Sequence, residues 1–315
     1  MLVSVVGECK KQLEKLLKIF IDHLNTNILS LYRIPLYSLP ESIGKLKKLK
    51  KLHLHDISLE TLPKSIGNLH KLEELDLSFN SLKNLPESIG ELKKLKKLYL
   101  SGNSLETLPE SFNKLKKLKA LYLYGNVSKI LLEVVKKLSN LKELYLYDNS
   151  LKTLPEAVIK FPNLKTLHFC GNPFKFLTEK ITNLTKLQEL SLSYNSLEDL
   201  PEVVTKLRNL KKLDLSGNSL STLPESIGNL RELKELNLSG NSLSTLPESI
   251  GELKQLRRLN IAGNPIKKLP SSLINLKKLK YLDIPRETLE NSDKRIIRHL
   301  EKIGCNCYIW PIFEF

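Results

Sequence analysis

The segment LEELDLSFNSLKNLPESIGELKK, residues 72–94, is followed directly by LKKLYLSGNSLETLPESFNKLKK, residues 95–117. The two segments share most of their leucines, an asparagine, a proline and a serine at a spacing of 23 residues. The first leucine of this unit recurs at the same spacing from residue 49 to residue 279, and a degenerate copy begins at Thr26. Twelve units therefore follow one another without insertion or deletion, which is typical of a repeat protein.

Each unit predicts a strand followed by a short helix. Leu75 and Leu77 alternate with polar residues, as in a strand with one buried face, and neighbouring copies would lie about 4.8 Å apart in a parallel sheet. Asn80 follows the strand, and asparagine occupies this position in nine of twelve copies. Its amide can satisfy both donors and acceptors of the backbone at the turn. Pro86 and Glu87 favour the start of a helix, and lysines follow near its end.

The composition excludes several classes of protein. The 315 residues include 70 Leu but only 13 Gly, which fits one leucine motif copied many times. The longest apolar runs, such as residues 130–132, are too short to span a bilayer. Residues 1–9 lack the basic flank and cleavage site of a secretory signal, and the four cysteines match neither a zinc nor a redox motif. We therefore expect a cytoplasmic protein with free thiols, or a bacterial effector secreted without a cleavable signal.

The 23-residue unit with its L-P-x-x-I segment resembles the leucine-rich repeat family over about 260 of 315 residues. The form is similar to the repeats of Ras-pathway scaffolds, Scribble-type polarity proteins and many bacterial leucine-rich repeat proteins. This resemblance implies an α/β solenoid shaped as a horseshoe, with a parallel sheet on its concave face and short helices or 3-10 turns on its convex face. It also implies that other proteins bind on the concave face.

Three segments are predicted along the chain. Residues 1–25 have apolar residues at helical spacing and are expected to form an N-terminal helical cap. Residues 26–287 form the repeat array. Residues 288–315 are expected to form a C-terminal cap, with a helix from near Ser292 to Ile303 that ends at Gly304. The aromatic residues Trp310, Phe313 and Phe315 are then expected to cover the last repeat.

The candidate binding site is a patch of tyrosines on three adjacent strands. Two outward positions of the strand, two residues apart, bring together five of the ten tyrosines, namely Tyr99, Tyr122, Tyr124, Tyr145 and Tyr147. Rings about 4.8 Å apart can pack edge to face and present their hydroxyls outward. His53, His55 and Phe79 extend the patch on one side, and His168 and Tyr194 extend it on the other. Tyrosine also suits strands, so the same rings could instead serve only to stabilise the sheet.

The net charge of +16 suggests an alternative partner. A basic chain can bind nucleic acid or an anionic membrane surface, here through the lysines of the convex turns. The outward strand positions carry more acidic than basic residues, so the positive charge is concentrated on the outer turns. A nucleic-acid groove would combine basic and aromatic residues on one surface. Their separation favours a protein partner over a nucleic acid.

No enzymatic motif accompanies the repeats. The pairs His53–His55 and His168–Cys170 each direct two side chains the same way, but neither supplies a definite third zinc ligand. The sequence contains neither a phosphate-binding loop nor a dinucleotide fingerprint. We therefore predict a monomeric, non-enzymatic protein-binding module without cofactor or metal, acting as a signalling scaffold or as a host-directed effector.

Overall fold

The computed structural model describes residues 11, 12, 15, 27–125, 138, 140–175, 177–285 and 291–310. The chain divides into two compact units. The first unit is Met1–Asn149 with Pro155–Leu164, and the second unit is Ser150–Leu154 with Lys165–Phe315. Most of the predicted N-terminal cap, residues 1–25, lies outside the described residues, and the three predicted segment boundaries stay predictions.

Six strands of the first unit pair in parallel and in chain order. Their pairing register is 23 residues throughout, so each repeat places the same position beside itself. The strands are β1 (Ile28–Tyr32), β2 (Lys51–His55), β3 (Glu74–Asp76), β4 (Lys97–Tyr99), β5 (Ala120–Tyr122) and β6 (Glu143–Tyr145).

Seven strands of the second unit pair in the same way. They are β7 (Thr166–His168), β8 (Glu189–Ser191), β9 (Lys212–Asp214), β10 (Glu235–Asn237), β11 (Arg258–Asn260), β12 (Tyr281–Pro285) and β13 (Asn306–Trp310). A single α-helix in the described part of this unit, α1 (Asn291–Lys302), precedes β13. Gly304 follows this helix with a left-handed φ of 88°.

Short 3-10 helices connect the strands, as the repeat pattern predicts. Most of them begin directly after a proline with φ near −70°, and they end where a leucine N–H bonds back into the last turn. In the first unit they are Glu41–Lys45, Lys64–Asn68, Glu87–Glu91, Glu110–Lys114 and Val158–Lys160. In the second unit they are Glu179–Asn183, Glu202–Lys206, Glu225–Asn229, Glu248–Glu252 and Ser271–Asn275. None of the described helices is long and apolar enough to cross a bilayer.

The core of each unit is a stack of leucines joined by asparagines. Leu75, Leu98 and their equivalents are fully buried. Asn103 is 5% exposed; its Oδ1 accepts from Leu82 N at 3.1 Å, and its Nδ2 donates to Leu77 O and Leu100 O at 2.9 and 3.0 Å. Each asparagine thus links its own turn to the preceding repeat. This confirms the predicted role of the asparagine at the strand end.

The glutamate of the L-P-E-S segment has a longer reach than predicted. Glu87 begins its own 3-10 helix, but its carboxylate accepts from the backbone N–H groups of Glu110 and Ser111 in the next repeat, both at 3.1 Å. These hydrogen bonds, chiefly those with Ser111, hold the pKa of Glu87 below its usual value. Glu248 reaches Ser271 and Ser272 in the same way. The outer turns are therefore joined from repeat to repeat by charged caps.

The glycine of the same segment permits the repeats to approach closely. A Cβ on Gly67 would lie 2.5 Å from Ser88 O and 2.8 Å from Ser88 Cβ, which is closer than real contacts allow. Gly90 and Gly251 meet the serine of the next repeat in the same way. The I-G pair is thus a packing requirement at these positions.

The described end of the second unit is closed by the sheet itself. Strand β13 pairs in parallel with β12, and Trp310 Nε1 donates to Asp283 Oδ1 at 3.0 Å. Trp310 therefore does cover part of the last repeat, although it remains 48% exposed. The predicted contributions of Phe313 and Phe315 lie outside the described residues.

Candidate functional site

Three tyrosines stack across neighbouring strands on the exposed face of the first unit. Tyr99, Tyr122 and Tyr145 end β4, β5 and β6 and face each other in register. Their ring centroids are 4.2 and 4.1 Å apart, with interplanar angles of 16° and 7°. The predicted edge-to-face packing of this column is therefore wrong. In-register parallel strands give identical residues the same orientation, so neighbouring rings lie face over face.

A second row of rings lies just beyond the ends of these strands, and we call it the aromatic track. Its ring steps are 6.0, 5.1, 6.3 and 6.4 Å, and successive rings are tilted by 44–57°. The stacked column joins it through Tyr145 and Tyr147, whose centroids are 6.1 Å apart. In order, the rings of the track are Tyr32, His55, Phe79, Tyr124 and Tyr147.

Phe79 enters the track with a left-handed backbone. Its φ is 55°, and Tyr194 in the second unit occupies the equivalent position with φ 54°. Such values are uncommon for bulky residues and cost roughly 1–2 kcal/mol. Each ring lies over the glycine of the next repeat: a Cβ on Gly102 would lie 2.8 Å from the Phe79 ring, and one on Gly217 would lie 2.6 Å from the Tyr194 ring. Six repeats place glycine at this position, namely Gly102, Gly125, Gly171, Gly217, Gly240 and Gly263.

The two histidines of the first unit have different surroundings. His53 is largely covered: its Nε2 lies 3.1 Å from Glu74 Oε1, and its Nδ1 lies 3.3 Å from the hydroxyl of Tyr32. His55 belongs to the track, and its Nδ1 lies 3.7 Å from Asp76 Oδ2. The structure therefore presents the ring of His55 with the aromatic residues and uses His53 to support the strand ends beneath them.

The phenols are held in their neutral form. Burial is the main cause that raises the pKa of Tyr99, followed by the neighbouring Tyr122 and the carboxylate of Glu74. Burial likewise raises the pKa of Tyr122, which also hydrogen-bonds to Tyr145. A hydrogen bond to the nearby Asp148 raises the pKa of the exposed Tyr124. The potential around the rings is therefore negative.

These pKa shifts predict a loss of stability at alkaline pH. The phenols of Tyr99 and Tyr122 keep their protons above about pH 10, where an unfolded tyrosine loses its proton. The folded state then binds more protons than the unfolded state, so this contribution to stability is complete below about pH 10 and is lost as the pH rises through the folded-state values. Urea unfolding between about pH 9 and 11.5 should show a steeper loss in the wild type than in Tyr99→Phe/Tyr122→Phe. Parallel curves would contradict the assignment.

The remaining predicted residues lie in the second unit. His168 Nε2 lies 3.1 Å from Glu189 Oε1, which repeats the arrangement of His53. Tyr194 is 72% exposed. The inclusion of both in the patch stays a prediction. Cys170 is buried and contacts Ser191 Oγ at 3.1 Å; burial raises the pKa of its thiol, which disfavours a nucleophilic role.

The exposed sheet face of the second unit is polar. A groove of about 240 Å³ runs along it, lined by charged and amide side chains such as Glu189, Lys212, Asp214 and Asn237. Lys212 and Glu235 pair at 3.3 Å. Among the described residues, no group of three or more His, Cys, Asp or Glu side chains is arranged to hold a metal ion.

Sequence reasoning missed two features of the site. Tyr32 belongs to the track, with its ring 6.0 Å from that of His55, although it stands in the first, degenerate repeat. Its position in the same column of the repeat was the available signal. The left-handed backbone of Phe79 was also missed, and the glycine that replaces it in other repeats was the signal for it.

The sequence matches the profile of a leucine-rich repeat region over residues 64–148 and 225–304. Two further leucine-rich repeat profiles match residues 162–220 and 140–161. No curated protein is a significant match. Among solved structures, the chain is similar to a leucine-rich repeat protein of Leptospira interrogans at 30% identity and a TM-score of 0.50, with 94% of this chain and 98% of that chain covered.

Two other solved structures have a similar fold. An internalin of Listeria monocytogenes is 21% identical, with a TM-score of 0.72 and with 91% of this chain and 82% of that chain covered. The TLR13 chain of a complex with ssRNA13 is 28% identical, with a TM-score of 0.71. That match covers 87% of this chain and 42% of the TLR13 chain.

Proposed function

Because the chain belongs to the leucine-rich repeat family, we propose that it is a protein-binding module, not an enzyme, and that its partner protein binds the aromatic face of the first unit. We define this face as the stacked column of Tyr99, Tyr122 and Tyr145 together with the aromatic track. The observation that carries the proposal is the exposure of these rings: Phe79 is 48% exposed and Tyr32 51%. Contiguous exposed aromatic surface is typical of interaction sites.

The local chemistry of the face supports this function. Tyrosine is enriched among the residues that dominate interface energetics, because it adds large contact area with few rotatable bonds. The rings are fixed by their neighbours before any partner arrives, so little conformational entropy is lost on binding. Sheet stabilisation alone would not require the strained and exposed ring of Phe79. A scaffold or effector role for such a module is part of the same proposal.

The alternative partner is a nucleic acid or an anionic membrane surface. It is favoured by the net charge of +16 and by the similarity to TLR13, a protein solved in complex with ssRNA13. The lysines that would make such contacts lie on the outer turns, as Lys93 does when it bonds to Gly90 O at 2.9 Å. A random oligonucleotide that binds with a steep salt dependence and retains full affinity for Tyr122→Ala/Tyr145→Ala would favour this alternative.

Site-specific photo-cross-linking tests the proposed function. A benzophenone amino acid replaces Tyr124 on the aromatic face in one variant and the exposed Lys94 on the outer turns in the other. We expect the first variant to cross-link a discrete protein from the native host extract that wild-type protein competes away, and the second to cross-link it weakly or not at all. Equal labelling from Lys94, or labelling from Lys94 alone, would place the partner elsewhere.

A further inference from the structure

The aromatic track has the shape of a binding site for an extended chain segment. Its rings run across the strands from Tyr32 to Tyr147 in four steps of 5.1–6.4 Å, a contour of roughly 24 Å. About seven residues of extended chain span that length. Alternate side chains on one side of an extended segment recur at about 6.8 Å, close to the ring steps. A linear segment with a side chain at every second residue therefore matches the track.

The charges beside the track are predominantly negative. Asp56 and Asp148 adjoin the track at the turn that follows the strands, and Asp76 lies 3.7 Å from His55. The lysines of this face, Lys51 and Lys97, lie about four residues upstream on their strands, roughly 13 Å from the track row. The carboxylates of Glu74 and Asp148 raise the pKa of neighbouring tyrosines, and the same negative potential attracts a cation.

Rings flanked by carboxylates are suited to arginine. A guanidinium can lie over an aromatic face and pair with a carboxylate at the same time. The second unit contains this arrangement: the guanidinium of Arg258 lies 5.9 Å from the centre of the Tyr281 ring, and its Nη2 lies 3.5 Å from Asp283 Oδ2. The track offers several open rings and nearby acids in one row.

We propose that the aromatic track binds an extended, arginine-containing segment of the partner protein, and that Phe79 is the residue that makes the track continuous. This proposal rests on the proposed function and adds the chemistry of the partner. The overall charge of +16 does not oppose it, because charges on the outer turns are screened beyond about 8 Å at physiological salt.

Phe79 fills a gap that the repeat pattern leaves open. The fourth repeat has Ser101 in the track column, so no ring from that repeat can link His55 to Tyr124. The left-handed backbone of Phe79 carries its ring over Gly102, where it lies 5.1 Å from His55 and 6.3 Å from Tyr124. Glycine would adopt this backbone without strain, and six other repeats have it. The strained phenylalanine is therefore explained by binding and not by folding.

Synthetic peptides test the proposal while the partner protein is still unidentified. The probe is a capped heptapeptide in which four arginines alternate with serines, and its matched control carries citrulline, which is nearly isosteric and uncharged, in place of arginine. By calorimetry at low salt, we expect the arginine peptide to bind the full-length protein at least about tenfold more tightly than the citrulline peptide. Equal affinities, or no binding of the arginine peptide at millimolar concentration, would overturn the proposal.

Variants at the left-handed positions test the role of Phe79. Phe79→Gly should weaken binding of the arginine peptide about fivefold without lowering the urea unfolding midpoint, because glycine relieves the backbone strain. Phe79→Tyr should retain binding. Tyr194→Gly relieves the equivalent strain in the second unit and should leave peptide affinity unchanged. Wild-type affinity in Phe79→Gly, or an equal loss in Tyr194→Gly, would overturn the role assigned to Phe79.

The outcomes separate this proposal from the proposed function. If Tyr122→Ala/Tyr145→Ala abolishes capture of the partner protein but neither peptide distinguishes wild type from Phe79→Gly, the partner chemistry is wrong and the protein-binding face stands. If the double variant captures the partner as well as the wild type does, the proposed function itself is wrong.

Discussion

Replacement of Asn103 by leucine is expected to lower the free energy of unfolding by about 3 kcal/mol. The amide of Asn103 is buried and bonds to three backbone groups, Leu82 N, Leu77 O and Leu100 O. Leucine has a similar volume but cannot replace these hydrogen bonds, and each buried group left without a partner costs about 1–3 kcal/mol. Leu77 O keeps one bond, from Asn80 Nδ2, so the cost falls mainly on the other two groups.

Urea unfolding followed by circular dichroism measures this loss. The matched control is Asn229→Leu, because Asn229 is exposed at the end of a 3-10 helix and should change the free energy by no more than about 0.5 kcal/mol. Repeat arrays can unfold in steps, so the first transition of each variant is compared. A loss below about 1 kcal/mol in Asn103→Leu would show that the asparagine ladder is not the main polar link between repeats.

The repeat pattern was sufficient to predict the fold. A period of 23 residues fixes which positions stack, and the alternation of Leu75 and Leu77 fixes which side of each strand is buried. The asparagine at the strand end was predictable because a buried turn needs a side chain that both donates and accepts. Composition and spacing alone determine these features, since every copy has the same neighbours.

The geometry of the site was less predictable. The sequence indicates that Tyr99, Tyr122 and Tyr145 share one column, but their stacking depends on side-chain rotation, which no spacing encodes. The path of Phe79 depends on a backbone angle that only the glycines of other repeats suggest. The reach of Glu87 to the next repeat depends on how closely the outer turns approach. The sequence therefore locates the site residues, and the structure alone shows how their rings are arranged.

Removal of two rings from the stacked column is expected to have the largest effect on binding. Tyr122 lies between Tyr99 and Tyr145, and Tyr145 joins the column to the track through Tyr147. Truncation of a central tyrosine in an interface can cost about 2 kcal/mol or more. Tyr122→Ala/Tyr145→Ala should therefore weaken partner binding by at least about a hundredfold.

The fold should survive this change. Cross-strand aromatic pairs contribute roughly 0.2–1 kcal/mol each, which is small beside the buried leucine core. The matched control is Tyr281→Ala/Tyr308→Ala, which removes two tyrosines of the second unit that are 41% and 48% exposed. Both double variants should keep the circular dichroism spectrum of the wild type, and the control should keep wild-type affinity.

The claim that the aromatic face of the first unit is the partner-binding surface is tested most directly by calorimetry with the purified partner, once photo-cross-linking has identified it. We predict that the dissociation constant rises at least about a hundredfold for Tyr122→Ala/Tyr145→Ala and by less than about threefold for Tyr281→Ala/Tyr308→Ala. Unchanged affinity in the first variant, with its fold intact, would contradict the claim.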